Sequence, residues 1–209
     1  CGEYKLDDVR KAVRVAVEAI GGLPLKSGDR VLLKPNLLSP RTPDRAVTTH
    51  PAIVQAAAEL ALEYGAVPVI GDSPAGKPCD SIWDATGIGE VARNLGLETL
   101  DFGREGTIER TVRGNTYYLA REALECDLLI NLSKFKTHML TTFTGAVKNL
   151  YGCLSGFQKG NWHRKAPNPE QFSQVVVDIF SELNPQVNIM DGVLAMEGQG
   201  PGNGKPRRL

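Results

Sequence analysis

The chain has 209 residues, with 24 Lys and Arg side chains against 24 Asp and Glu side chains, so its formal net charge is zero. Proteins held to nucleic acid by bulk charge need a basic surplus, so this balance argues against a nucleic-acid partner. Apolar residues make up 42% of the chain and charged residues 23%, as in folded proteins. No apolar run approaches the roughly 18 residues of a membrane span, so no membrane insertion is expected.

The four cysteines lie far apart and form no C-x-x-C pair, and the three histidines are not at zinc-ligand spacing. Without a disulfide framework or a signal peptide, the chain is predicted to be cytoplasmic. It starts at Cys1 and stops abruptly after the segment 204–209. We expect a piece of a longer protein, with a first strand and a C-terminal part lying outside it.

The first predicted helix covers 5–20, where apolar residues recur at helical spacing before two glycines. The short apolar run 30–34 predicts a buried strand, and a loop rich in Pro and Arg follows it. Helices and strands then alternate. In chain order we predict a helix over 51–64, a strand over 67–71, a helix over 80–95, a strand over 97–101, a hairpin over 107–119, a helix over 120–125 and a strand over 127–132.

The remaining segments follow the same alternation. The polar segment 155–168 predicts a surface loop, with a mobile lid as the alternative. Asn168 is expected to cap a helix that runs to about Leu183. The last strand covers 187–190, and the Gly/Pro-rich tail 198–206 is expected to be exposed.

This order of elements predicts the fold class. Short apolar strands alternating with helices indicate an α/β protein whose mostly parallel sheet has helices on both faces. The hairpin over 107–119, signalled by Gly114-Asn115, is a small insertion. No internal repeat is present, so we predict a single domain over 1–209.

Polar residues follow four of the predicted strands at the point where each strand ends. In open parallel sheets the carboxyl ends of the strands meet at one edge, where ligands bind. We therefore expect a polar crevice there, with ordinary loop polarity as the alternative. Its residues would be Lys34, Asn36, Asp72, Ser73, Lys134 and Asp191. The two aspartates would bind a metal or a ligand hydroxyl, or else cap turns.

The segment 131–156 directly follows a buried strand and is the most informative part of the chain. Its basic side chains are Lys134, Lys136, His138 and Lys148. Thr144 to Asn149 can open a short helix whose free N–H groups, with the nearby lysines, would bind a carboxylate or phosphate. We expect both Thr144 and Asn149 to contact the ligand. The alternative is a solvated basic loop.

Two side chains of this segment are candidate catalytic residues. Lys148 would act as a base or nucleophile if a pocket lowered its pKa. His138 would act as a general base or a metal ligand, although a histidine in this place is more often a structural hydrogen-bonding residue.

Five short motifs are spread along the chain. They are Val31-Leu-Leu-Lys-Pro-Asn-Leu-Leu38, Gly71-Asp-Ser-Pro-Ala-Gly76, Lys134-Phe-Lys-Thr-His138, Thr144-Gly-Ala-Val-Lys-Asn-Leu-Tyr-Gly152 and Asp191-Gly-Val-Leu-Ala-Met-Glu-Gly198. Together they resemble domain-of-unknown-function family 362 over nearly the whole chain. The resemblance implies an iron–sulfur association, because many members carry a ferredoxin-type module. The C-x-x-C-x-x-C pattern of that module is absent here, so no cluster is assigned to these residues.

A local segment is similar to nickel-pincer lactate racemases, which have a His, a Gly-rich turn and a Lys that anchors the cofactor. Here His138 and Lys148 stand in that order around Thr144-Gly145. Ala146-Val147 replaces the small residues before the Lys, and Tyr151-Gly152 stands where Pro-Gly is usual. The similarity implies a His/Lys crevice and leaves the cofactor unknown, nickel or another metal included.

Three functions are consistent with these observations. The first is an enzyme-like domain whose cationic crevice binds a small anionic substrate or cofactor. The anion would be held by Lys34, Lys134, Lys136 and Lys148, and His138, oriented by Asp72 or Asp191, would move a proton. The second is a redox scaffold that docks an iron–sulfur, ferredoxin-type module and does no chemistry itself, and the third is a ligand sensor. Whether the domain is an enzyme, and its oligomeric state, stay open.

Overall fold

The computed structural model describes residues 2–74, 80–156 and 158–209. The helices are α1 (Leu6–Ala19), α2 (Pro51–Glu63), α3 (Asp80–Ala85), α4 (Ile88–Leu95), α5 (Arg121–Glu125), α6 (Ala146–Asn149), α7 (Gln158–Lys165) and α8 (Pro169–Leu183). The strands are β1 (Arg30–Pro35), β2 (Val67–Asp72), β3 (Glu98–Asp101), β4 (Thr107–Val112), β5 (Asn115–Ala120), β6 (Leu128–His138), β7 (Thr142–Thr144), β8 (Val187–Gln199) and β9 (Asn203–Arg208).

A seven-stranded sheet organises the molecule, with the order β3-β2-β1-β6-β8-β9 and with β7 paired to the far end of β6. The central pairs β3–β2, β2–β1, β1–β6 and β6–β8 are parallel, whereas β6–β7 and β8–β9 are antiparallel. The predicted α/β class with a mostly parallel sheet is therefore confirmed. No helix in the described segments is long and apolar enough to cross a membrane.

Alternate side chains of the central strands feed two apolar clusters, one on each face of the sheet. On β1, Val31 and Leu33 pack with the buried sides of α1 and α2, while Leu32 belongs to the opposite cluster. That second cluster contains the β4–β5 hairpin, α7 and α8. Because successive strand residues point to opposite faces, the continuous apolar runs read from the sequence are those of strands covered on both sides.

Local signals account for several element boundaries. Asn168 Oδ1 accepts the Gln171 N–H at 2.9 Å and so caps α8 as predicted. The β4–β5 hairpin is also present, as a separate two-stranded sheet. Its turn is Arg113-Gly114, one residue earlier than predicted, because both of these residues have positive φ, as a two-residue hairpin turn of this type requires.

The structure corrects the sequence reading in polar segments. Strand β6 continues to His138 and β8 to Gln199, because their polar extensions pair with β7 and β9. The tail 198–206 is mostly exposed, as predicted, and β9 begins within it. The loop predicted over 155–168 contains α7. The helical stretch over 80–95, predicted with Gly87 and Gly89 interrupting it, is divided into α3 and α4 at Gly87, whose φ is +74°. Part of the predicted turn after Asp72, residues 75–79, lies outside the described residues.

Candidate functional site

A cavity of about 230 Å³ opens at the carboxyl ends of β1, β2 and β6 and is also lined by residues of α6 and α7. It brings together most of the predicted site residues from distant parts of the chain. Those that line it are Lys34, Asn36, Asp72, Ser73, Lys136, His138, Thr144, Lys148 and Asn149. The two predicted site residues that do not line it are Lys134 and Asp191.

A buried ion pair joins the ends of β1 and β2 at the floor of this cavity. Lys34 Nζ lies 2.8 Å from Asp72 Oδ1, and both side chains are almost completely excluded from solvent. The Asp72 carboxylate also accepts the backbone N–H groups of Leu37 at 2.7 Å and Ser73 at 2.8 Å. These bonds compensate the loss of hydration that a buried carboxylate suffers, so the pair can persist inside the protein.

Gly152 lies against this ion pair. A Cβ atom at this position would come within 2.5 Å of Asp72 Oδ1 and 2.7 Å of Lys34 Nζ. Contacts this short with buried charged groups cannot be relieved without moving the pair. The sequence therefore requires glycine here for close approach, and not for an unusual backbone angle.

A directed chain of side-chain amides connects the cavity to the sheet. Asn36 Nδ2 donates to Asn149 Oδ1 at 2.9 Å, and Asn149 Nδ2 donates to Asn131 Oδ1 at 2.8 Å. The Asn131 Nδ2 group then donates to Asn188 Oδ1, also at 2.8 Å. Asn36, Asn149 and Asn131 each use both the donor and the acceptor of their amide, so the chain fixes α6 against β1, β6 and β8.

Lys136 begins this amide chain. Its Nζ atom donates to Asn36 Oδ1 at 2.5 Å and to the Val47 carbonyl at 2.6 Å. Burial lowers the pKa of Lys136 to about 7, and the charge of Lys148 acts in the same direction. Near neutral pH this buried amine is therefore poised between its charged and its neutral form.

Lys148 differs from the other lysines that line the cavity. Its Nζ atom makes no hydrogen bond or ion pair with any described residue, and lies 5.8 Å from the Tyr151 ring centroid and 6.0 Å from that of Phe172. Burial lowers the pKa of Lys148 to about 8, with a further contribution from the charge of Lys159. Such an amine is available to a ligand.

A second side chain of the cavity also lacks a partner. Thr144 is 2% exposed, and its hydroxyl oxygen has no hydrogen-bond partner among the described residues. Buried hydroxyl groups are rarely left unpaired, because losing a hydrogen bond on burial costs about 1–3 kcal/mol. This hydroxyl is therefore a candidate ligand contact.

His138 has one ring nitrogen already occupied. Its Nδ1 atom accepts the backbone N–H groups of Leu140 at 3.2 Å and Thr141 at 3.4 Å. Burial, followed by the charge of Lys148, lowers its pKa to about 4. The neutral ring thus carries its proton on Nε2, so the geometry favours a hydrogen-bond donor to the ligand over the general base predicted from the sequence.

Three functional candidates in the segment 150–165 were not predicted. Lys159 of α7 is buried and donates to the Ser73 carbonyl, and Tyr151 donates to the Lys159 carbonyl at 2.6 Å. His163 stacks on Phe172 with ring centroids 4.5 Å apart, and burial lowers its pKa. The buried positions 159, 162 and 166 follow helical spacing, but the lysine at the first of them hides this pattern in the sequence.

Lys134 and Asp191 form a separate buried cluster. Lys134 Nζ lies 2.7 Å from Asp191 Oδ2, and neither side chain is exposed. Tyr4 donates its hydroxyl to Asp191 Oδ1 at 2.6 Å, and the His50 backbone N–H donates to Asp191 Oδ2 at 2.9 Å. This cluster ties the start of the chain to the ends of β6 and β8.

A register shift explains why the side chains of Lys134 and Lys136 lie in different places. Residues two apart on a regular strand share one face. The β6–β8 ladder, however, shifts between these two lysines, which breaks the regular alternation. Lys136 therefore lines the cavity while Lys134 pairs with Asp191.

Metal binding was left open by the sequence. Within residues 2–74, 80–156 and 158–209, no group of three or more His, Cys, Asp or Glu side chains is placed to hold a metal ion. The lysine ammonium groups that line the cavity would repel a metal cation. We therefore assign no metal ligand to this cavity.

Comparison with known proteins identifies the family. The model described as "Domain of unknown function (DUF362)" matches residues 31–209. The chain belongs to this family. The resemblance read from the motifs is thus confirmed, whereas the local similarity to nickel-pincer lactate racemases stays a prediction.

One relative is described as "Thylakoid-associated protein sll1697", from Synechocystis sp. (strain ATCC 27184 / PCC 6803 / Kazusa). It is 36% identical over 211 residues, an alignment that covers 99% of this chain and 65% of the relative. The chain thus spans less than two thirds of that relative's length. Thylakoid association is a statement about the relative, and the cytoplasmic localisation of this chain stays a prediction.

Lys134→Met is expected to lower the free energy of unfolding by about 3–5 kcal/mol, because it leaves the Asp191 carboxylate buried without its cation. Chemical denaturation measures this loss. The double variant Lys134→Met/Asp191→Leu should recover part of it, since neither charge then remains. A single variant as stable as the wild type would contradict the description of this pair.

Gly152→Ala is expected to lower the free energy of unfolding by about 1–3 kcal/mol, because the methyl group overlaps the Lys34–Asp72 pair. Gly160 of α7 is the matched control, since a Cβ atom there meets nothing within 4 Å. Gly160→Ala should stabilise the protein by about 0.5–1 kcal/mol through its helix preference. Equal effects of the two substitutions in urea unfolding would refute the close approach.

Proposed function

We propose that this protein binds a small organic anion, a carboxylate or a phosphate, in the cavity at the carboxyl ends of its strands. The domain would be enzyme-like, with reactive amines placed beside the bound anion. The observation that carries the proposal is the Lys148 amine, which faces the cavity without a hydrogen-bond or ion-pair partner among the described residues.

The charge balance of the cavity supports this proposal. The described residues that line it include four lysines and one aspartate: Lys34, Lys136, Lys148, Lys159 and Asp72. When every lysine is protonated, the positive charges outnumber the single carboxylate. Burial, together with neighbouring positive charge, lowers the pKa values of Lys136 and Lys148, and a bound anion would offset that repulsion.

Hydrogen-bond donors supplement the charge. The Thr144 hydroxyl lacks a partner and the Nε2 proton of His138 is not used by the backbone, while both residues line the cavity. Donors of this kind orient an anion that ammonium groups attract from any direction. A volume of about 230 Å³ restricts the ligand to a small molecule.

Anion binding should raise the melting temperature of the wild-type protein. Malonate, succinate or inorganic phosphate at about 100 times its Kd should stabilise the fold by about 2.7 kcal/mol, or about 5–10 °C. Lys148→Ala should lose most of this shift in differential scanning fluorimetry. Lys165→Ala, which removes an exposed lysine at the end of α7, is the control and should keep this shift. If no anion stabilises the wild type beyond Lys148→Ala, the proposal fails.

Binding should weaken as the pH rises. The protonated forms of Lys136 and Lys148 attract the anion, and their pKa values of about 7 and about 8 place the loss of those protons near neutral pH. The Kd of succinate, which stays dianionic in this range, should rise by up to about tenfold per pH unit for each amine that deprotonates between about pH 7 and pH 9. Calorimetric titration at several pH values measures this slope.

Lys148→Arg provides the control for that pH dependence. Its guanidinium group stays protonated throughout, so the variant should bind succinate with a flatter pH profile than the wild type. An equally steep profile in the variant would show that Lys148 does not titrate on binding.

The alternative of a redox scaffold is favoured by a different feature, the apolar tip formed by the end of β6 and by β7. Its exposed side chains include Phe135, Met139 and Phe143, and Met139 is 83% exposed. An exposed apolar group of this kind suits contact with another protein module, such as a ferredoxin-type module.

A further inference from the structure

The lysines that line the cavity do not all have the same surroundings. Three of them donate to oxygen atoms of the protein: Lys34, Lys136 and Lys159. Lys148 instead lies beside the rings of Tyr151 and Phe172 and donates to no described residue. Among the described lining residues, Lys148 is therefore the lysine whose amine can meet a ligand without first leaving an acceptor on the protein.

We propose that Lys148 is a nucleophile that forms an imine with a small carbonyl compound bearing a carboxylate, such as a 2-oxo acid. This inference rests on the proposed anion site and deepens it, because the carboxylate is the part of the ligand that the other lysines hold. The carbonyl carbon would then lie against the free Nζ atom.

The surroundings of Lys148 favour its neutral, nucleophilic form. Burial in the cavity and the charge of Lys159 both disfavour the ammonium ion, and a buried lysine beside a second cation is activated for carbonyl chemistry. Lys136 lacks this freedom. Its Nζ atom is 2.5 Å from Asn36 Oδ1 and 2.6 Å from the Val47 carbonyl, so moving this amine toward a carbonyl carbon would cost both hydrogen bonds.

The reaction balances with the groups present. The Nζ lone pair forms a bond to the carbonyl carbon while the C=O π electrons move to oxygen, and a proton passes from Nζ to that oxygen to give a carbinolamine. A second proton, supplied by the Lys136 ammonium group, lets the hydroxyl leave as water as the nitrogen lone pair forms the C=N bond. The product is a protonated imine beside the bound carboxylate. No oxidant or reductant is needed.

The Thr144 hydroxyl would assist this reaction as a hydrogen-bond donor. It is buried, lacks a partner among the described residues and lines the same cavity. A hydroxyl so placed can donate to the carbonyl oxygen as negative charge develops on it. Thr144 ends β7 and Lys148 lies in α6, with Gly145 between the two elements.

Reductive trapping tests the inference. The purified protein is incubated with pyruvate or glyoxylate and sodium cyanoborohydride, which reduces an imine to a stable secondary amine, and is then digested for peptide mass spectrometry. The expected product from pyruvate is a single carboxyethyl group on Lys148. Lactate, which holds the same carboxylate but has no carbonyl group, should compete with this labelling without forming an adduct.

Two arginine variants make the assignment specific. Lys148→Arg keeps a positive charge but lacks a nucleophilic amine, so it should lose the adduct while lactate still raises its melting temperature. Lys165→Arg, at an exposed position, should be labelled at Lys148 as the wild type is. Retained lactate stabilisation in Lys148→Arg shows that this variant is folded and that its site is intact.

The possible results separate this inference from the proposed function. Labelling spread over surface lysines, labelling at Lys136, or no labelling at all overturns the imine. If lactate stabilises the wild type in that case, the anion site survives and only the nucleophile is refuted. If lactate, malonate, succinate and phosphate all fail to stabilise the protein and no adduct forms, both proposals fail.

Discussion

The buried pair of Lys34 and Asp72 is the constraint on which the site depends. It joins the carboxyl ends of two neighbouring parallel strands, and Asp72 in turn orders the start of the loop after β1 through the Leu37 N–H group. Gly152 packs directly against the pair, which sets how closely the turn after α6 approaches the sheet. Breaking the pair would leave an uncompensated charge inside the protein.

This pair also determines the electrostatics of the cavity. With the charge of Asp72 engaged by Lys34, the charges of Lys136, Lys148 and Lys159 have no second carboxylate among the described lining residues. Such an accumulation of like charge opposes folding, and functional sites are where proteins commonly tolerate it. The cavity has an excess of positive charge although the formal net charge of the chain is zero. The composition therefore gives no sign of this excess.

The rule that ligands bind at the carboxyl ends of parallel strands predicted most of the cavity, because apolar runs mark the strands and their polar ends are legible in the sequence. Lys34, Asn36 and Asp72 were found in this way, and Lys136 was found through the basic side chains of the segment 131–156. The separation of Lys134 from Lys136 was not, since a register shift leaves no mark in periodicity. Lys159 was missed for a different reason: its helix is polar and short, and its buried side is read only after the surrounding contacts are known.

Among the described strands, β9 lies at the edge of the sheet, where copies of the molecule could associate edge to edge. Lys205, Pro206, Arg207 and Arg208 follow one another along this edge, and their side chains are exposed. Proline offers no N–H to a further strand, and adjacent positive charges repel an identical edge. The sheet is thereby closed to edge-to-edge aggregation on the side where its ladder would otherwise continue.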